Sequence, residues 1–276
     1  RTEFPFLLRP SFPTEEEQLV VYKKLTEWMK GKPITFRTLD IGGDKVLSYY
    51  QRVAENNPFL GMRSLRFLLE HKDIFSMQLR AILRAGADAD LGIMFPMVSS
   101  CDELQAAKEL VSQNIQLLIK RGIPCHTSPA VGIMVEVPSA VEIIEDLVKE
   151  ADFVSLGTND LVQYMLAVDR TNEKVAQHYR PSHPSVIRSI KRVIDAARAK
   201  KREVSICGDM AHNEHYLPLL LGLGARTFSV ASALILRTKA LISRIDLSES
   251  KKLAARILGL SYIRQIEEAL EVYHER

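Results

Sequence analysis

Apolar positions along the chain fall into two alternating patterns. Short, nearly unbroken apolar runs occupy residues 34–39, 93–98, 131–137, 153–156, 204–207 and 227–231. Runs this short, bounded by Gly, Pro or acidic residues, read as strands buried on both faces, the signature of a parallel sheet. Between them, apolar residues recur at helical spacing. Val21, Leu25, Trp28 and Met29 follow Thr14-Glu15-Glu16-Glu17, in which Thr14 caps a helix and Glu17 reaches back to its amide. Lys30-Gly31 closes that helix. Ser100-x-x-Glu103 and Ser139-x-x-Glu142 read as two further capping boxes. Repeated strand–helix units predict an α/β fold.

Two arrangements of such units compete, a doubly wound sheet and a (β/α)8 TIM-type barrel. No G-x-G-x-x-G follows any strand, which removes the main sign of a dinucleotide-binding sheet. Polar residues instead gather at the ends of the apolar runs: Arg37 and Asp40, Glu136, Asn159 and Asp160, and Cys207 to Asp209. A barrel collects strand ends into one ring, where its active site sits. The barrel is therefore the expected fold, as one domain over residues 1–276, because no low-complexity linker or repeat divides the chain.

Composition narrows the class without naming a function. At 46% hydrophobic and 26% charged, the chain has ordinary globular usage, which argues against disorder. No apolar run approaches the ~20 residues a membrane-spanning helix needs. A net charge of +3 is no footprint for nucleic acid. Three cysteines, Cys101, Cys125 and Cys207, lie far apart with no C-x-x-C, which fits a reducing, cytoplasmic setting.

Chemistry enters at the strand ends. Glu136 and Asp160 end consecutive strand regions, and neighbouring strands lie ~4.8 Å apart, so the two carboxylates can share a hard cation. Magnesium suits one or two carboxylates completed by substrate oxygens and water. Taken singly, such acids are as readily helix caps or solvent-facing loop residues. Arg37 lies inside an apolar strand, where an isolated cation is expensive. With Arg1, Arg63 and Arg170 it offers guanidinium forks for phosphate or carboxylate oxygens. The competing reading is a buried structural pair, with Asp40 and Asp169 as available partners. Cys207, at the end of its run, is a candidate proton donor or nucleophile, or simply a small buried apolar residue. His212 and His215 read as a solvated helix start.

The same segments, in this order, resemble the C-terminal domain of enzyme I of the phosphoenolpyruvate:phosphotransferase system. They are RTEFPFLLR at 1–9, RTLDIGGDK at 37–45, NPFLGMRSLR at 57–66, QLRAILRA at 78–85, IMFPMV at 93–98, GIMVEVPSA at 132–140, SLGTNDLVQYMLAVDR at 155–170 and CGDMA at 207–211. RTEFPFLLR followed by FPTEEEQ is most similar to the nitrogen-related branch. The resemblance implies a phosphoenolpyruvate/pyruvate-binding barrel that is Mg2+-dependent, with Arg1, Arg37 and Arg170 on the phosphate and Arg63 assisting. It implies Glu136 and Asp160 as magnesium ligands, Asn159 beside the phosphate, Lys45 as a further anion contact, and Cys207 as the donor that protonates the enolate carbon. The implied activity is transfer of the phosphoryl group to a histidine on a separate domain, releasing pyruvate and feeding a phosphocarrier protein, in a cytoplasmic homodimer.

Two departures accompany the likeness. Cys207-Gly208-Asp209 stands where the family has C-G-E, so Asp209 receives no role. The seven histidines lack the G-G-x-x-S-H context of the family's phosphoacceptor. The histidine-bearing and carrier-binding domains are thus expected to be absent from this chain, and the first strand to be truncated before Arg1. Alternatives are the barrel of a pyruvate phosphate dikinase or phosphoenolpyruvate synthase, and a non-catalytic phosphoenolpyruvate-sensing dimerisation module.

Overall fold

The computed structural model describes residues 2–7, 11–42 and 55–274. Every predicted apolar run holds a strand: β1 (Ile34–Arg37), β2 (Leu91–Phe95), β3 (Ala130–Val135), β4 (Phe153–Gly157), β5 (Glu203–Cys207) and β6 (Thr227–Phe228). The pairings β1–β2, β2–β3, β4–β5 and β5–β6 are parallel. The α/β class with parallel strands therefore stands. The chain divides into two compact units, Arg1–Met134 with Glu150–Asp152, and Val135–Lys149 with Phe153–Arg276.

In the first unit β2 pairs with β1 on one side and β3 on the other. Its helices are α1 (Phe4–Leu7), α2 (Glu15–Trp28), α3 (Leu65–Glu70), α4 (Lys72–Ala85) and α5 (Cys101–Lys120). The capping box at Thr14 forms as read: Thr14 Oγ1 accepts from the Glu17 amide at 3.3 Å, and Glu17 accepts from the Thr14 amide at 2.8 Å. At α5, Ser100 caps the Glu103 amide at 3.2 Å, but the Glu103 carboxylate turns to the Ser99 amide and hydroxyl. Arg80 and Arg84 on α4 reach Glu15 on α2 at 2.6 and 2.7 Å. Beneath them Tyr22 donates to Gln18 and accepts from Gln78, a buried polar row in which Gln78 also takes the Leu39 amide.

In the second unit β5 lies between β4 and β6. Its helices are α6 (Pro138–Glu142), α7 (Ile144–Glu150), α8 (Thr158–Leu166), α9 (Pro184–Ala199), α10 (Leu217–Leu223), α11 (Ile235–Ile242), α12 (Leu247–Leu258) and α13 (Ile263–His274). The box expected at Ser139 does not form. Pro138 occupies the first helical position and Val137 caps α6, so Ser139 lies inside the helix. Proline fixes φ for that position and needs no amide partner, which starts the helix two residues early. Glu142 instead meets Arg192 on α9 at 2.7 Å. β6 is shorter than the run 227–231, although the Ser229 amide still bonds Ile206 O at 2.8 Å. No helix among the described residues is long and apolar enough to cross a membrane.

Candidate functional site

The first unit carries an arginine–carboxylate cluster at the end of β1. Thr2 Oγ1 donates to the Arg37 carbonyl at 2.6 Å, which ties residues 2 and 3 to the strand. The Arg37 guanidinium then pairs with the buried Glu3 carboxylate and lies 3.5 Å from Asp40. Asp40 also accepts from the Ser64 hydroxyl and lies 3.5 Å from Arg63 Nε. Arg63 itself is buried, with its guanidinium carbon 5.9 Å from the centre of the Phe59 ring. Burying cations is tolerated only with such partners. Of the two expected pairings, Asp40 is therefore a real partner of Arg37. Asp169 is engaged locally, accepting from the amide and hydroxyl of Thr171 at 2.8 and 2.7 Å. Glu3 was not anticipated; it reaches Arg37 because the Thr2 contact holds residues 2 and 3 against β1. Arg1 and Lys45 lie outside the described residues.

The second unit brings together Cys207, Asn159, Asp160 and Arg170. The β4–β5 register sets Gly157 opposite Cys207, so both strands end at one level and α8 begins directly after β4. Two hydrogen bonds join the ends. Thr158 Oγ1 donates to the Cys207 carbonyl at 2.7 Å, and the Asp209 amide donates to Asn159 Oδ1 at 2.8 Å. The second bond fixes the side-chain amide of Asn159: with Oδ1 accepting, Nδ2 is the donor end. Gly208 makes the turn between them at φ 92° and ψ −174°, a conformation open essentially only to glycine.

Below this turn runs a row of small polar groups. Ser205 donates to Ser155 at 3.0 Å, Ser155 donates to Cys207 Sγ at 3.8 Å, and Sγ donates to the Leu156 carbonyl at 3.3 Å. Arg170 is held through its backbone amide, which donates to Gln163 Oε1 at 3.1 Å. Its side chain hydrogen-bonds Tyr179, and Tyr179 Oη donates to the Asn159 carbonyl at 3.1 Å. Burial pushes the Tyr179 phenol up to about 12; Arg170 opposes that shift, and Asp209 and Asp160 add to it. Tyr179 and Ser205 belong to no quoted motif, and only the strand register reveals that Ser205 meets Ser155.

Glu136 follows β3 and is 2% exposed; Asp160, in the first turn of α8, is 9% exposed. Carboxylates so deeply buried need cationic or hydrogen-bonding company. Their oxygens are the hard donor set that magnesium takes with one or two carboxylates. The residues present therefore fit that ion.

A family profile described as PEP-utilising enzyme, PEP-binding domain, matches residues 1–247. Phosphoenolpyruvate-protein phosphotransferase from Listeria monocytogenes is 43% identical over 273 residues, covering 99% of this chain and 48% of that protein. The protein of the same name from Bacillus subtilis is 44% identical, covering 96% of this chain and 47% of its own length. That from Enterococcus faecalis is 45% identical, covering 94% and 45%. The chain thus spans about half the length of the curated relatives it matches.

Proposed function

The chain belongs to the PEP-binding domain family of PEP-utilising enzymes, and from that premise we propose that it binds phosphoenolpyruvate with Mg2+ as the barrel of a phosphoenolpyruvate-protein phosphotransferase. The full reaction transfers the phosphoryl group to a histidine on another domain and starts a relay to a phosphocarrier. The finer fold in this reading is a single (β/α)8 barrel over residues 1–276, consistent with parallel strands alternating with helices. A cytoplasmic homodimer completes it; Cys101, Cys125 and Cys207 are not disulfide-bonded, which is compatible with a reducing compartment.

The observation that carries the reading is the hydrogen-bonded pair of strand ends holding Asn159 and Cys207 together. Phosphate is assigned to Arg1, Arg37 and Arg170, with Arg63, Lys45 and the Nδ2 of Asn159. Arg37 and Arg63 now face Glu3 and Asp40, so phosphate there exchanges carboxylate contacts for its own oxygens. Glu136 and Asp160 would hold magnesium, which when bound neutralises charge on the phosphoryl and enolate oxygens. Phosphoryl transfer asks the protein mainly for positioning and charge stabilisation. As the bond from phosphorus to the enol oxygen breaks, one forms to the histidine nitrogen. The enolate carbon takes the proton of Cys207 Sγ, giving pyruvate, and sulfur regains a proton from water.

Calorimetric titration with phosphoenolpyruvate, with and without Mg2+, tests the assignment. Binding should require Mg2+, and Glu136→Gln should weaken it at least tenfold while the circular dichroism spectrum is kept. Folded wild-type protein that binds no phosphoenolpyruvate overturns the reading.

A further inference from the structure

A second cluster, separate from the residues discussed above, lies where the C-terminal helix returns to the turn before α10. Glu214, His215 and His274 each point one ligand atom into a common space, all within 4.8 Å of one another. We propose that these three side chains form a binding site for a transition-metal dication of the zinc class.

The donor set argues for the metal. Two imidazoles and one carboxylate are the composition of a three-ligand zinc site whose fourth position is left for water. Imidazole nitrogen favours zinc, cobalt, nickel or copper over magnesium, which prefers oxygen. Four-coordinate zinc with bonds of ~2.1 Å sets its ligand atoms about 3.4 Å apart. Closing from 4.8 Å is a movement of side-chain ends, and His215 and His274 are exposed enough to make it. Their rings are already in contact, with centroids 4.5 Å apart and planes tilted by 47°, so the nitrogens can turn toward one point.

The surroundings allow it as well. Asn213 Oδ1 accepts from the His215 amide at 2.9 Å, which sets the backbone that aims the ring. Glu214 Oε2 lies 3.7 Å from Arg237, an exposed pair that costs little to loosen. Among the described residues, Arg237 is the cation recorded against Glu214. A bound ion would join the last turn of α13 to the segment before α10, two points far apart in sequence. It would thereby restrain the C-terminal helix.

Equilibrium dialysis against Zn2+, with Co2+ as a spectroscopic substitute, tests the site on the whole chain. The wild type should bind one Zn2+ at micromolar concentration, and His215→Gln and His274→Gln should each weaken it at least tenfold with the fold unchanged by circular dichroism. Bound Co2+ should show visible bands of nitrogen and oxygen ligation without near-ultraviolet thiolate absorption. No Zn2+ uptake by the wild type, or uptake unchanged in both variants, overturns the proposal. So does thiolate absorption that disappears in Cys207→Ser, which would assign the ion to the strand-end thiol.

Discussion

Gly208→Ala puts the turn that joins Cys207 to Asn159 under direct test. The backbone at φ 92° and ψ −174° lies in a region that costs a residue with a Cβ about 1–3 kcal/mol. The new methyl would also meet Thr158 Oγ1 at 2.3 Å and Asn159 Oδ1 at 2.7 Å, with the Asn159 amide nitrogen at 3.1 Å. Two of those atoms are the partners that link the strand ends, so relief of the clash breaks the bonds to Cys207 O and from the Asp209 amide. Each such bond contributes about 1 kcal/mol. The expected loss of unfolding free energy is therefore about 3–5 kcal/mol, read from urea denaturation followed by far-ultraviolet circular dichroism. Gly122→Ala is the control. Gly122 also has positive φ, at +65°, but a Cβ there meets nothing within 4 Å. Its cost should be the backbone share alone, about 1 kcal/mol. Equal losses at the two positions would refute the claim that Gly208 is required by the groups pressed against it.

Cys207→Ser should leave phosphoenolpyruvate affinity within twofold, yet slow pyruvate formation at least tenfold in the full-length protein; calorimetry and a coupled pyruvate assay read the two effects. Asn159→Asp keeps an oxygen for the Asp209 amide but replaces the donor end with negative charge, so phosphoenolpyruvate binding should weaken at least tenfold with no change in urea midpoint. Tyr22 predicts an alkaline transition. Burial pushes its phenol up to about 12, with the Gln78 hydrogen bond opposing and Glu3 adding to the shift. Its folded value is raised above the unfolded value of about 10, so the stability it contributes is complete below pH 10 and is lost as pH rises toward 12. That loss is about 3 kcal/mol, and Tyr22→Phe should show a smaller fall in urea midpoint between pH 9 and 12; equal falls would contradict the assignment.

The strands were legible because a strand buried on both faces must be apolar throughout, and each of the six observed strands overlaps its run. Capping was legible only where local chemistry decides it. Thr14 and Glu17 satisfy each other, whereas Glu142 finds Arg192 fifty positions away. Four residues of pattern carry no information about that partner. The same limit applies to function. Strand-end position pointed to Arg37, Asn159, Asp160 and Cys207, since each stands out against an apolar run. Glu3, Tyr179 and the Ser155–Ser205 pair reach their places through register and loop return, and His274 meets His215 only because α13 folds back. Composition and motif spacing hold none of that geometry.

The strand-end chemistry also bears on which role the thiol can take. A nucleophilic cysteine needs its thiolate stabilised, by a cation or a helix N-terminus. Cys207 Sγ donates to the Leu156 carbonyl and accepts from the Ser155 hydroxyl, so the strand-end row sets its direction. The same backbone segment spends its carbonyl on Thr158 and its following amide, at Asp209, on Asn159. Orientation of the thiol and orientation of the Asn159 amide are therefore consequences of one hydrogen-bonded turn. In the proposed reading Asn159 would meet phosphate and Cys207 would protonate carbon, and one shared turn would hold both relative to one substrate. Glycine at 208 makes that turn possible, and position 209 contributes its backbone amide to the pairing.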